Sequence, residues 1–326
     1  EGAEVHVDAS VSAPLFTVHK GAPRVHLRGL RLVGAVHVSG GTVEMSECHS
    51  TGSPHGSPSR RRALRTSSPA ADGSRAGLRI DGGAVLVRGT TFSGHVDGPA
   101  IAIANGSLTV QGGLLRHNHA MAGAGLLVTG GEADIKNTLI EGNTAAESGG
   151  GLKVTGGTVR LSDRTLMRGN AAPEGATMHL TGGETTYQVP APLGRWVFIS
   201  LGSAAVLALG HYDSAFPYPC SAGLVGNSDV LGLQSGPSCA GPCPAGQQCP
   251  GATVVPQACE QGHFCLLGSP AATPCPSGTF GAAANLTSVD GCSECPMGAA
   301  CVAGTAEPRP CDPGSYSGAG SASCTA

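Results

Sequence analysis

The sequence is poor in aromatic and charged side chains. Phe, Trp and Tyr make up 3% of its 326 residues, and Asp, Glu, Lys and Arg only 13%, about half the usual charged share. The core therefore has to come from Val, Leu, Ile and Ala. A net charge of −3 excludes disorder driven by charge repulsion and nucleic-acid binding by bulk electrostatics. Catalytic signatures are missing as well. Residues 1–210 hold no Asp-Asp, Gly-His-Gly or Arg-Ile-Lys cluster, such as a polysaccharide lyase or hydrolase would need. There is no Walker A loop and no GxSxG elbow. The acids Asp81, Asp97, Asp134, Glu141 and Asp163 are scattered. No cofactor or metal is expected, and the chain reads as non-enzymatic.

Long apolar runs are also lacking. After Arg195, the stretch from Trp196 to Gly210 is fifteen uncharged residues, short of the roughly 20 that a membrane helix needs. It is expected to be a buried β or cap segment. The chain begins at Glu1 with no charged region followed by an apolar one. It reads as an internal fragment whose targeting signals and membrane tether lie elsewhere.

Cysteine is almost absent from one half and dense in the other. Residues 1–210 contain Cys48 alone. Residues 211–326 contain Cys220, Cys239, Cys243, Cys249, Cys259, Cys265, Cys275, Cys292, Cys295, Cys301, Cys311 and Cys324. Twelve cysteines in such a segment mark a disulfide scaffold in an oxidising compartment. Zinc is the alternative, since Cys292-x-x-Cys295 has a usable spacing. No second C-x-x-C follows, and His263 is the only histidine after His211. Charge divides too: 18 basic and 15 acidic side chains before residue 211, against Arg309 and seven acids after it. Cys48 reads as a small buried hydrophobe.

The first half repeats. A short alternating apolar run, a Gly-Gly or Asn-Gly turn and a second alternating run recur around Gly40-Gly41, Gly82-Gly83, Asn105-Gly106, Gly130-Gly131, Gly156-Gly157 and Gly182-Gly183. From Gly82 the steps are 23, 25, 26 and 26 residues, and the 42-residue step before it is one coil plus an insertion. The runs have period 2 and are too short for helices. Gly-Gly fits a turn in which both residues take positive φ. Identical roles at a fixed step indicate a parallel β-solenoid rather than a hairpin meander. Stacking the units puts Val36, Leu78, Ile101, Leu126, Leu152 and Met178 in one inward column. Val38, Ile80, Ile103, Val128, Val154 and Leu180 form another. Leu127, Thr129 and Lys153 should point outward. About five coils are expected between residues 24 and 187.

Asn118, Asn143 and Asn170 follow Leu115, Ile140 and Met167 by three residues, and His95 takes that place after Phe92. Asparagine favours turns in general, but three in register predict a side-chain amide ladder. His117 and His119 beside Asn118 read as exposed corner residues.

Gly-Pro-Ala-Ile (98–101), Gly-Ala-Gly-Leu (123–126) and Gly-Gly-Gly-Leu (149–152) resemble a GGA[I/L/V] motif, and the Leu/Ile/Met-x-x-Asn segments resemble its companion FxxN. The pair is similar to the right-handed parallel β-helix of pectin-lyase-like proteins, especially polymorphic-membrane-protein repeats, over about residues 24–187. The resemblance implies a fold shared by polysaccharide enzymes and non-catalytic adhesins. Phe is present at the FxxN position only at Phe92, where His95 replaces Asn.

Residues 52–75 are rich in Ser, Pro and Gly, with Arg60, Arg61, Arg62, Arg65 and Arg75. They read as a disordered basic insertion; a protease-processing site or anionic-glycan contact is the sharper reading. Residues 187–199 break the repeat. Trp196 and Phe198 are candidates for covering the last coil, since a solenoid end needs a cap.

Beyond this, Cys243/Cys249/Cys259, Cys259/Cys265/Cys275 and Cys295/Cys301/Cys311 share one spacing, with Cys-Pro-x-Gly at 243, 275 and 295 and Cys-Asp-Pro-Gly at 311. These phrases, with Gly-Thr-Phe (278–280) and Gly-Ser-Tyr (314–316), resemble ephrin-receptor-like (GCC2/GCC3-type) cysteine-rich repeats over about 239–326. Spacing alone leaves the pairing open. Sequons occur at Asn105-Gly-Ser107 and Asn285-Leu-Thr287, so Asn105 and Asn285 are glycosylation candidates.

The expected architecture is all-β: a right-handed parallel β-helix over 1–187, a cap or linker over 188–238 and a disulfide-rich, loop-dominated region over 239–326. The expected role is that of a cell-surface structural or adhesive protein, with glycan or protein partners and no nucleic acid. The alternatives are a receptor ectodomain with one defined ligand face and, behind it, a polysaccharide lyase or hydrolase.

Overall fold

In a computed structural model of the chain, the described residues are 16–22, 24–52, 75–188, 191–198, 204–228 and 234–326. Most of the basic insertion, including Arg60, Arg61, Arg62 and Arg65, lies outside them. The described residues are all-β apart from one short 3-10 turn at Val289–Gly291. The chain forms two units. One comprises residues 1–189 and 199–217, the other 190–198 and 218–326.

The first unit is a parallel β-helix. Each coil supplies one strand to each of three parallel sheets. In the first sheet, Phe16–Val18, Val36–Val38, Leu78–Ile80, Ile101–Ile103, Leu126–Val128, Leu152–Val154 and Met178–Leu180 stack in order. The second runs from Val25–Arg28 to Glu184–Gln188, and the third from Arg31–Val33 to Leu166–Arg168. Register keeps the repeat phase: Ile101 pairs with Leu78 and Leu126, and Leu152 with Met178. Among the described residues there are six three-strand coils and a two-strand seventh. That exceeds the expected five or so, and one coil lies on the amino-terminal side of all the repeated Gly-Gly and Asn-Gly turns. Its turn carries Lys20-Gly21 in place of Gly-Gly, which hides it from a Gly-Gly search.

The two inward columns of the first sheet are buried, from Val36 and Val38 through Met178 and Leu180. The second sheet adds Val43, Val85, Leu108, Ala133 and Val159, and the third Phe92, Leu115, Ile140 and Met167. Each large member contributes about 1.5–3 kcal/mol by burial. Few aromatics are needed, because neighbouring coils present aliphatic side chains of similar size at the same height.

Two expectations are corrected by the geometry of the turns and the outer face. Only the second glycine of each Gly-Gly turn has positive φ, for example +81° at Gly83 and +79° at Gly157. The first is needed for space: a Cβ on Gly82 or Gly156 would strike the carbonyl of Ser39 or Thr129 on the preceding coil. Leu127 points away from the core columns yet is buried, clustered with Ala76 and Ala102. The segment after His119–Ala122 covers it, since Gly123 packs against the Leu127 Cα and Cβ.

The last coil is closed from outside the repeat. Ala204–Val206 pairs antiparallel with Glu184–Gln188, and Gly210–Tyr212 pairs antiparallel with Met178–Leu180. Phe216 bridges antiparallel to Met167 on the third sheet. One reversed turn of chain thus covers the exposed edge of all three sheets, where open backbone would otherwise invite pairing. Phe216 is fully buried edge-on against Tyr187, with centroids 5.4 Å apart. Trp196 and Phe198, the expected covering residues, are not among these edge pairings. They belong to the second unit, where Trp196 packs against Phe198 and Tyr218, each centroid 4.8 Å away.

The second unit comprises residues 190–198 and 218–326. It repeats a seven-residue phrase, Cys-x-x-Gly followed by a two-residue strand and a seventh residue. The phrases start at Cys220, Cys243, Cys259, Cys275, Cys295 and Cys311. Their glycines, Gly223 through Gly314, lie between +77° and +91° in φ, which an L side chain tolerates poorly. Five of the six phrase strands pair antiparallel with the two residues just before the next phrase, as Gln247–Gln248 does with Gln257–Ala258. Each glycine amide donates to the seventh residue of the next phrase: Gly223 to Cys249, Gly246 to Cys265, Gly262 to Gly281, Gly278 to Cys301 and Gly298 to Ser317. An unrecognised phrase precedes them, Ala191-Pro-Leu-Gly194-Arg-Trp-Val197. Gly194 has φ +76° and donates to Gly226, and Arg195–Trp196 pairs with Tyr218–Pro219. Ala191 and Val197 are buried at the first and seventh positions, which both carry cysteine in the phrases that start at Cys243, Cys259 and Cys295. This phrase contains no cysteine and shares with all the others only the glycine at its fourth position.

Candidate interaction surface and the residues that fix it

The corner after the third sheet is held by asparagine. Asn118 Nδ2 donates to Asn143 Oδ1 at 2.9 Å, and Asn143 Nδ2 to Asn170 Oδ1 at 3.0 Å. Each Oδ1 also accepts the backbone N–H of the residue one coil back: Asn118 from His95, Asn143 from Asn118 and Asn170 from Asn143. The Nδ2 groups reach back to the carbonyls of Phe92, Leu115 and Ile140. All three asparagines are buried, so these bonds satisfy backbone groups that water cannot reach. The two sequence motifs meet here. Gly125 and Gly151 lie against the amides of Asn143 and Asn170 on their own coils, and Gly77 against the His95 ring. A small residue before the first-sheet strand makes room for the ladder.

His95 heads this ladder at 4% exposure, with its Nε2 3.3 Å from Ser50 Oγ. Burial pushes its pKa down from 6.5 to about 4. His117 and His119 are exposed. Cys48 is buried, its thiol within 3.4 Å of the Leu27 and Ser46 carbonyls. It occupies the corner held one coil later by Thr90, whose hydroxyl bonds the Arg88 carbonyl in the same manner.

The outer face of the first sheet carries His37, Arg79, Ala102, Leu127, Lys153 and His179 in cross-strand register. The parallel segments His119–Ala122 and Thr144–Ser148 run beside it, and Lys153 Nζ donates to Ser148 Oγ at 2.7 Å. Asp81 accepts from His37 Nε2 and Arg79 Nε, both at 2.8 Å. Burial alone would raise the Asp81 pKa; these two donors outweigh it and hold the carboxyl below its ordinary value. The depression lined by Arg79, Asp81, Ala102, Leu127 and Thr129 is too shallow to enclose a ligand. Other carboxylates are tied to cations of their own or neighbouring coils: Glu44 to Arg24 at 3.2 Å, Asp134 to Lys136 at 2.7 Å and Glu141 to Arg168 at 3.1 Å. A neutralised carboxylate facing water is a poor general acid or base.

The twelve cysteines of the second unit form six bridges between chain neighbours: Cys220–Cys239, Cys243–Cys249, Cys259–Cys265, Cys275–Cys292, Cys295–Cys301 and Cys311–Cys324. Where the seventh residue of a phrase is cysteine, the bridge closes within the phrase. Where it is Gly226, Gly281 or Ser317, the bridge runs to a cysteine beyond it. A Cβ on Gly226 or Gly281 would sit at 2.8 or 3.1 Å from the sulfur of Cys220 or Cys275, the place a second half-cystine fills elsewhere. The candidate sugar acceptors Asn105 and Asn285 are both exposed. Asn105 Oδ1 accepts the Gly106 amide within its turn at 2.8 Å.

Among the described residues, no helix is long and apolar enough to cross a membrane. No protein-family model matches this chain, and no curated protein matches it significantly. Its class rests on its own geometry: a parallel β-helix, held by aliphatic columns and an asparagine corner, in one chain with a tandem array of disulfide-stapled phrases.

Proposed function

We propose that this chain is a non-catalytic structural or adhesive segment working outside the cell. The observation that carries the reading is the six-bridge array, which needs an oxidising compartment to form. The β-helix motifs resemble those of polymorphic-membrane-protein-type, pectin-lyase-like repeats, and the cysteine phrases resemble ephrin-receptor-like repeats. Both resemblances support a cell-surface role. Ion-paired outer carboxylates and flat polar faces favour a scaffold over an enzyme. A second reading, one defined ligand face, is favoured by the basic side chains of Arg79 and Lys153 on the outer face of the first sheet, which suit an anionic glycan or an acidic protein segment.

The test is secretion of the disulfide-bonded chain, followed by binding to a glycan array and to intact cells. Turnover of uronate-containing and neutral polysaccharides is assayed alongside. A scaffold shows no turnover and at most weak, multivalent adhesion. Saturable binding to one sulfated or carboxylated glycan, lost on Arg79→Glu and Lys153→Glu, selects the receptor reading. Polysaccharide cleavage overturns both.

A further inference from the structure

The closing strand of the β-helix brings together three groups that the ladder, the ion pairs and the core do not use. His179, on Met178–Leu180, is the register partner of His211 on the antiparallel strand Gly210–Tyr212. Their rings stack with centroids 4.4 Å apart and planes 24° from parallel. Glu174, on the turn before Met178, reaches to 3.9 Å from His179 Nδ1. One donor atom from each residue lies within 4.8 Å of the others. His179 is only 8% exposed, and its Nδ1 is fully buried with no hydrogen-bond partner. A buried ring nitrogen without a partner is uncommon enough to need a cause. Glu174 and His211 are exposed. The Glu174 turn itself is held to the closing segment, since the Ala176 amide donates to Asp213 Oδ1 at 2.9 Å.

We propose that Glu174, His179 and His211 form a divalent-metal site, suited to zinc, that staples the closing strand to the last coil. Two imidazoles and one carboxylate are a donor set that zinc uses, with water in the remaining position. Bond lengths of about 2.0–2.2 Å require the donors to draw together, with the buried His179 nitrogen as the fixed point and the two exposed side chains turning onto the metal. Lys153 is the opposing charge nearby. Its ammonium is held by Ser148 Oγ, and the Glu174 carboxylate offsets it. The site joins the 174–180 segment to the closing strand Gly210–Tyr212, so metal binding would tighten the cap rather than perform chemistry.

Zinc chloride is titrated calorimetrically into the disulfide-intact chain, with hydrogen exchange followed over residues 204–217. The expected result is one zinc per chain and slowed exchange in that segment. His211→Ala and Glu174→Gln should each weaken binding about tenfold or more, by the sensitivity of such sites to lost ligands, and abolish the slowing. Both residues are exposed, so both variants should fold. The pair His117→Ala/His119→Ala should change nothing. Unaltered affinity in the Glu174 and His211 variants, loss of binding in the His117/His119 variant, or the absence of stoichiometric zinc would each overturn the site.

Discussion

The two units solve one problem with opposite materials. Both are tandem repeats whose members cannot bury enough surface alone. The β-helix has long registers between coils and fills its interior with aliphatic columns; its polar corner is answered by the asparagine ladder. The cysteine array has two-residue strands and exposed apolar side chains such as Val255, Leu267 and Met297, and in most of its phrases the buried centre is the disulfide itself. The Ala191–Val197 phrase joins the two strategies, because it keeps the turn and pairing of the array but fills the bridge position with buried Ala and Val. The turn geometry is thus the constant element of the second unit, and the disulfide is the substitute for a core.

Reduction should separate the units most strongly. Losing bridges typically costs a small domain about 2–5 kcal/mol each, more than the array can absorb. Limited proteolysis under reductant should digest residues 218–326 and spare 76–188, whose fold contains no bridge. Equal resistance of both regions, or equal loss, would break the comparison.

The next largest effect belongs to the β-helix core. Leu152→Asp places an uncompensated charge in a fully buried column and should cost several kcal/mol. Lys153→Ala, one residue on, loses only a half-buried stem and the Ser148 contact and should cost about 1 kcal/mol or less. Thermal melts giving equal shifts would show that the facing is wrong.

Asn143→Ala should fall between these two. It strips partners from the Asn118 amide and side chain and from the Leu115 carbonyl, all inside the fold, for about 3 kcal/mol. Asn143→Asp keeps one acceptor but removes the donor to Asn170 and should also destabilise. A silent Asn143→Ala in denaturant melts would remove the ladder from the account.

The last effect is acid-dependent. His95 is neutral in the folded state, with its pKa near 4 against 6.5 in the unfolded chain. Between those values the unfolded chain binds the extra proton, so stability is full above about pH 6.5 and falls as pH drops toward 4, by about 3 kcal/mol in all. His95→Asn should flatten the difference between melts at pH 7 and pH 4.5. A profile unchanged by the substitution would place the titration elsewhere.

The sequence made the β-helix readable because period 2, the turn step and the phase of Val36 through Met178 all report one repeating environment. The asparagine corner was readable for the same reason. What escaped did so on physical grounds. The coil at Phe16–Val18 carries Lys20 where the others have glycine or asparagine. Leu127 alternates outward, but a neighbouring segment returns to bury it. The cap consists of backbone pairing by 204–217, which no side-chain pattern announces, and it lies forty residues and more beyond the strands it covers in the third sheet. His211 reaches Glu174 and His179 only through that pairing. In the second unit the cysteine spacing showed a repeat but not its partners, because Gly226, Gly281 and Ser317 divert three bridges out of their phrases.

The most direct test of the account is a disulfide map of the secreted, non-reduced chain by peptide mass spectrometry. The account predicts bridges between successive cysteines from Cys220 to Cys324, including Cys275–Cys292 and Cys311–Cys324, with Cys48 as the single alkylatable thiol. Four or more free thiols after residue 220, or zinc held by those cysteines, would contradict it.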